Sequence, residues 1–237
     1  MEVLGLIPAR GGSKGITGKN IKTLAGKPLI GYTFACANAC RSLTRRVLTT
    51  DSEEIAGAGR EHGIEVPFLR PAELAGDHSS ASDYIRHCLN FLEESEGYRP
   101  ELVVLLQPTC PLRNAADVDT CVDLLSGSDA DSVVSVAELP TKYHPNWQFK
   151  VSPDGLLRPF SGGPWEELAT ARQHLDATYT RNGAVYAFRS KMYSTSYNIY
   201  GHKVLAYVMP EERSVNIDDM DDWRKAEAAI STQEKSC

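Results

Sequence analysis

The chain begins with an apolar run, Val3-Leu4-Gly5-Leu6-Ile7, that Pro8 ends and that passes directly into Ala9-Arg10-Gly11-Gly12-Ser13-Lys14-Gly15, with Lys19-Asn20 close behind. The run reads as a buried strand, and it stops at Pro8 because proline cannot donate to a sheet ladder. Glycines then let backbone N–H groups close on a ligand, and the cations favour an anion. Residues 1–28 carry Arg10, Lys14, Lys19, Lys22 and Lys27 against the single acid Glu2, although the whole chain has a formal net charge of −6. A basic patch on an acidic body predicts a local anionic ligand, here a polyphosphate. The overall sign argues against nonspecific nucleic-acid binding.

The rest of the chain predicts an α/β domain. After the strand over residues 2–8 and the glycine loop, Pro28 suits the first position of a helix reaching about Ala39. Arg46–Thr50 reads as the next strand, Ser52 as the cap of a helix that stops at Gly63, and Glu65–Leu69 as a short strand. Ser80 and Asp83 form a capping-box-like pair before a helix whose inner face is Ile85, Cys88, Leu89 and Leu92. Glu101–Gln107 is nearly all apolar, as in a central parallel strand. Asn114 caps a helix with the stripe Val118, Cys121, Val122 and Leu125, and Asp131–Val136 is another strand. This order predicts a three-layer, Rossmann-like fold, a mainly parallel sheet with helices on both faces.

The rhythm breaks at about 138–182, where Pro140, Pro145, Pro153, Pro159 and Pro164 fall. This segment reads as an insertion within one domain spanning 1–237, a small hairpin turning at Ser152-Pro153-Asp154-Gly155 plus an extended arm. Strand pattern returns at Ala184–Phe188 and Lys203–Val208. A short run at Ser214–Ile217 leads into a helix from about Met220. The six cysteines include no C-x-x-C pair, so a zinc site is not indicated. No signal peptide or membrane-spanning stretch is visible, and a cytoplasmic location is expected.

The glycine loop matches neither G-x-x-x-x-G-K-[ST] nor G-x-G-x-x-G. It does contain G-x-S-x-G at Gly11-x-Ser13-x-Gly15, the pattern of a hydrolase nucleophile elbow, but no helix pattern follows closely enough for the required strand-to-helix turn. In the acidic segment Ser214–Asp222, alternation places Asn216 and Asp218 on one face. Two oxygen donors there suit Mg²⁺ that keeps waters and phosphate oxygens as its other ligands; taken alone, the segment is better explained as a solvated helix start capped by Asp218 and Asp219. Gln107, just past the central strand, suits a neutral polar group, and Arg113 suits an anion, a carboxylate or a structural role. Arg70, at the end of the third predicted strand, points to the same edge. One or two of Ser79, Ser80 and Ser82 face ligand or only cap a helix. Arg172 and Arg181-Asn182-Gly183 flank the end of the insertion.

Taken in order, five segments resemble the acylneuraminate cytidylyltransferase (CMP-sialic acid synthetase) family. They are Ile7–Gly15 with Lys19-Asn20; Leu69–Ala75; Leu106–Thr109 with Pro111-Leu112-Arg113; Arg181–Tyr186; and Asn216-Ile217-Asp218. The resemblance runs from about Val3 to Trp223. It implies a nucleotidyltransferase fold and transfer of CMP from CTP to the anomeric hydroxyl of a nonulosonic acid, with Mg²⁺ and release of pyrophosphate.

By the same resemblance, Arg10, Lys14, Lys19 and Asp218 carry the chemistry. Ala9, Gly11, Gly12, Ser13, Asn20, Arg70 and Ser80 complete the nucleotide site. Gln107, Arg172, Asn182 and Gly183 face the sugar, and Asp218 with Asn216 holds the metal. The insertion implies a homodimer. Two positions depart from the family pattern: Asn216 replaces the first metal aspartate, and Trp147 stands where the family can place a lysine near the sugar. An octulosonate (CMP-Kdo type) cytidylyltransferase and a catalytically silent nucleotide-binding module are the competing readings.

Overall fold

The computed structural model describes residues 1–13, 15–76, 79–169, 171–196 and 198–234. The strands are β1 (Val3–Pro8), β2 (Thr23–Leu24), β3 (Lys27–Pro28), β4 (Arg45–Thr49), β5 (Leu102–Leu105), β6 (Ser132–Glu138), β7 (Phe149–Val151), β8 (Leu157–Pro159), β9 (Tyr179–Arg189) and β10 (Val204–Val208). The helices are α1 (Leu29–Ala39), α2 (Glu53–Glu61), α3 (Ala81–Glu96), α4 (Ala115–Ser126), α5 (Ser190–Ser196) and α6 (Met220–Glu234). Six strands form the main sheet in the order β10-β6-β9-β5-β1-β4. All are parallel except β9, which runs antiparallel between β5 and β6.

Alternation along the central strands divides the core. Ile7, Leu48, Val104 and Leu106 pack with α1, α2 and α4 on one face. Leu4, Leu6, Val47, Val103 and Leu105 pack with α3 on the other, against Ile85, Cys88 and Leu92. A continuous apolar strand is what burial on both faces requires. A third, smaller cluster joins Ile16 of the glycine loop to Ile217 and to Trp223, Ala226 and Ile230 of α6. It fastens the glycine loop to the acidic segment.

The chain steps from β1 to β4 on one side and then crosses to β5 on the other. Ligands of open α/β sheets bind at such a switch point, beyond the carboxyl ends of the strands. The predicted caps are present: Ser52 accepts from the Ile55 amide, and Asn114 and Asp117 form a reciprocal capping box.

Several boundaries differ from expectation. Pro28 ends β3 and sits at the N-cap of α1 rather than inside it. Glu65–Leu69 is not a strand. Only a single bridge, Val47 with Glu65, extends the sheet there, because Pro67 has no N–H to continue a ladder. Ser214–Ile217 follows a 3₁₀ turn over Glu211–Arg213 and crosses the strand ends outside the sheet. One of its ties to the core is the Ile217 amide, which donates to the Thr109 carbonyl at 2.8 Å.

β9 is longer than predicted and begins inside the expected insertion, so the excursion from the sheet is residues 139–178. It contains the β7–β8 hairpin and short 3₁₀ turns.

Candidate active site

A cleft of about 380 Å³ opens at the carboxyl ends of β1 and β5. Arg10, Ser13, Lys19, Asn20, Arg70, Gln107, Asn216 and Asp218 all line it, so four of the five sequence segments meet there.

The glycine loop is held from behind. The Ala9 amide donates to the Thr49 carbonyl at 3.0 Å, and Gly11 N–H donates to Asp51 Oδ1 at 2.8 Å. Asn20 Nδ2 donates to the Arg10 carbonyl at 2.9 Å. Lys19 Nζ donates to the Ile217 carbonyl at 2.8 Å, tying the loop to the acidic segment. Burial pushes the Lys19 ammonium below its ordinary pKa, while Asp218 pulls it back up. Gly15 is required at this junction, because a Cβ there would sit 2.6 Å from the Asp218 carbonyl oxygen. The glycine loop and the acidic run are therefore one structure.

Arg70 is buried. Its Nε donates to Thr49 Oγ1 at 3.1 Å and its Nη2 to the Thr49 carbonyl at 2.5 Å. The guanidinium lies 4.7 Å from the Tyr84 ring centroid, a cation–π contact. Burial pushes the Tyr84 hydroxyl up to about 12. Tyr84 lines the cleft and sequence reasoning missed it; it adjoins the Ile85, Cys88, Leu92 stripe, and only its position over Arg70 reveals a role.

On the opposite wall, Asn216 Nδ2 donates to Asp218 Oδ2 at 3.1 Å. The alternation argument thus reached the right juxtaposition although the segment is not a strand. Cys110 lies beneath Asn216 with its Sγ 3.5 Å from Oδ1, and burial raises that thiol to about 11. Gly183 adopts φ +77°, and a Cβ there would meet Gln107 Oε1 at 3.0 Å.

Some predicted site residues stand apart from the cleft lining. Ala9, Gly11 and Gly12 form the loop behind it. Ser80 caps α3, its amide and hydroxyl both donating to Asp83 Oδ2, while Ser79 lines the cleft instead.

Asn182 is buried with its amide consumed internally. Its Oδ1 accepts from Ser135 Oγ and the Ala184 amide, and its Nδ2 donates to Ser214 Oγ. These bonds stitch an irregularity where β6 and β9 lose register between Val134 and Val136. Lys14 lies outside the described residues, as does the Arg172 side chain.

The nucleophile-elbow reading of Ser13 does not hold, because the next helix begins only at Leu29. Arg113 meets three neutral acceptors and no carboxylate among the described residues.

A cluster of three cations, Arg10, Lys19 and the buried Arg70, lining one cleft with the Asp218 carboxylate is suited to a polyanion with a divalent counter-ion. The cytidylyltransferase family model matches residues 4–213. The chain belongs to the cytidylyltransferase family. Among its relatives, the N-acylneuraminate cytidylyltransferase of Escherichia coli O18:K1:H7 is 31% identical over 240 residues, covering 99% of this chain and 52% of the relative. The chain thus spans about half the length of that relative, and of streptococcal ones of the same name. The CMP-N,N'-diacetyllegionaminic acid synthase of Legionella pneumophila is 29% identical over 238 residues, covering 100% of this chain and 99% of the relative. A solved CMP:2-keto-3-deoxy-manno-octonic acid synthetase complexed with CTP superposes with a TM-score of 0.72 at 16% identity, covering 98% of this chain and all of that one. At that identity it shows the shared cytidylyltransferase fold.

Proposed function

We propose that this chain transfers CMP from CTP to the anomeric hydroxyl of a nonulosonic acid and releases pyrophosphate. The observation that carries the reading is the cleft itself, in which Arg10, Ser13, Lys19 and Arg70 face Gln107, Asn216 and Asp218 across one opening. The cationic wall receives the nucleotide and the Gln107 wall the sugar acid. The hydroxyl oxygen attacks the α-phosphorus, the bond to the β-phosphate oxygen breaks, and the hydroxyl proton leaves to water. Arg10 and Lys19 offset the charge that gathers on the departing pyrophosphate, and the rigid loop fixes the in-line geometry.

The donor set at the acidic segment fits Mg²⁺ delivered with the triphosphate. At the cleft lining it offers the exposed carboxylate of Asp218 and the neighbouring amide of Asn216, which donates to that carboxylate in this structure. Among the described residues, no cluster of three or more His, Cys, Asp or Glu is arranged to hold a metal; Asp218 and Asn216 would hold the ion, with substrate oxygens and water as its other ligands. When bound, the cation supplies charge neutralisation at the phosphates.

The proposal extends to a cytoplasmic homodimer. Exposed Phe149, Leu156, Leu157, Phe160 and Trp165 on the arm supply an apolar face for a second subunit. The five cysteines among the described residues are free and buried, which suits a reducing compartment. No helix among the described residues is long and apolar enough to cross a membrane.

The deciding experiment measures pyrophosphate release with CTP, Mg²⁺ and a panel of N-acetylneuraminate, legionaminate, pseudaminate, deaminated nonulosonate and octulosonate. Turnover with at least one nonulosonate is expected. Turnover with octulosonate alone, or tight CTP binding without any turnover, overturns the reading.

A further inference from the structure

Arg113 is buried, and among the described residues each of its three hydrogen bonds to oxygen goes to an uncharged acceptor. Its Nη1 donates to the Gln107 carbonyl at 3.0 Å and to the Ala184 carbonyl at 2.8 Å, and its Nη2 to Thr33 Oγ1 at 2.7 Å. Its Nε has no partner among the described residues. With no carboxylate bonded to it among the described residues, this buried guanidinium is costly. Cys36 on α1 lies against the same charge, and its thiol is held below the ordinary value, first by a hydrogen bond with Cys40 and then by Arg113.

The three acceptors belong to three different segments. β5 and β9 pair antiparallel as far as Leu105 with Tyr186. Continued two residues, that register would set Gln107 opposite Ala184, but the pairing has already ended. The Ala184 amide has turned away to Asn182 Oδ1. Both carbonyls, released from the ladder, accept from one Arg113 nitrogen. One residue further, Gly183 closes against the Gln107 side chain and Asn216. Thr33 ties the assembly to the helical layer.

We propose that Arg113 is a positioning residue for the sugar-facing wall, setting the separation of Gln107 from Gly183 where β5 and β9 diverge. The proposal rests on the reading above that Gln107 faces the sugar acid and the glycine loop faces CTP. A lysine can reach one carbonyl but not all three acceptors, and a methionine removes the donor from the buried Ala184 carbonyl and leaves the Gln107 carbonyl only the long bond from the Cys110 amide at 3.4 Å.

The test compares wild type, Arg113→Lys and Arg113→Met by steady-state kinetics with CTP and the best nonulosonate, and by hydrogen exchange of the free proteins. In Arg113→Lys the KM for the sugar acid is expected to rise about tenfold while that for CTP moves by less than about twofold. Arg113→Met should lose more, so lysine is a partial rescue. Amides in 107–110 and 182–185 should exchange faster in Arg113→Lys, with β1 and α3 unchanged.

Equal shifts in both KM values, or wild-type kinetics in Arg113→Lys, overturn the proposal. If Arg113→Met does not fold, Arg113→Lys still decides. If wild type turns over no nonulosonate, the functional reading fails on that result alone; the exchange pattern then decides the positioning role, which is overturned if loss of protection is absent or uniform.

Discussion

The cleft and the arm invert the ordinary distribution of side chains in opposite directions. Around the cleft, polar groups are buried: Asn20, Arg70, Arg113 and Asn182 are all hidden, and each side chain is hydrogen-bonded, Asn20 within the glycine loop and the others across segments. In the arm, apolar groups are exposed: Leu156 is 58%, Phe160 56% and Trp165 50% exposed, and the Phe149 and Trp165 rings stack at 5.7 Å on the surface. Buried polar groups are tolerable only when their bonds are made, and such networks hold a geometry firmly. Contiguous exposed apolar groups mark an interaction surface. On the proposed reading the cleft is complete in geometry and awaits charge, whereas the arm is incomplete in burial and awaits another subunit.

The comparison is broken most severely by removing the carboxylate at the cleft. Asp218→Ala should lower kcat by about 10²–10³-fold, the scale of one lost transition-state contact. Its thermal unfolding should stay close to wild type, because Asp218 is exposed and outside every core cluster; turnover within a few-fold of wild type would remove Asp218 from the chemistry. Gly15→Ala should come next, at about tenfold in kcat/KM, since a misplaced group costs rate without touching substrate. The added methyl must displace the Asp218 backbone, which a Cβ would approach to 2.6 Å. An unchanged kcat/KM would show that the loop and acidic segment are not rigidly coupled.

The arm supplies the contrasting case. Phe149→Ser with Trp165→Ser should weaken self-association in sedimentation experiments while leaving the melting temperature of the isolated subunit nearly unchanged, because these side chains are already half exposed. A large drop in melting temperature would mean that the stack supports the fold.

How much of this was legible in the sequence depends on whether the controlling interaction was local. The strand–loop junction at Pro8, the Asn114 cap and the stripe Ile85, Cys88, Leu92 are local patterns, and each appears where the sequence places it. Glu65–Leu69 misled because its apolar residues suggested a ladder that Pro67 interrupts. Ser79 and Ser80 are chemically identical neighbours; only the turn of the chain entering α3 sends one to the cleft and the other to Asp83. Asn182 was legible as part of a motif but not as a buried stitch across a sheet irregularity, since its partners Ser135 and Ser214 lie 47 and 32 residues away. Arg113 belongs to the same class, as its acceptors become neighbours only once β9 has entered the sheet.

The smallest expected effect sits at the departure from the family pattern. Asn216 donates to Asp218 at 3.1 Å, so this pair carries one negative charge and is internally bonded without a cation. Asn216→Asp replaces that donor with a second carboxylate at the same distance. Like charges so close disfavour joint ionisation, so one of the pair titrates upward. The unfolded chain separates them, so the variant loses stability relative to wild type as pH rises through the unfolded carboxylate range near 4 and beyond. At neutral pH in chelator it should melt lower than wild type, and Mg²⁺ with CTP should restore the difference. The Mg²⁺ concentration for half-maximal turnover should fall a few-fold, because the variant gains a charged ligand. If chelator and Mg²⁺ shift both proteins equally, the wall formed by Asn216 and Asp218 does not meet a cation. The cleft's rigidity would then serve the nucleotide alone.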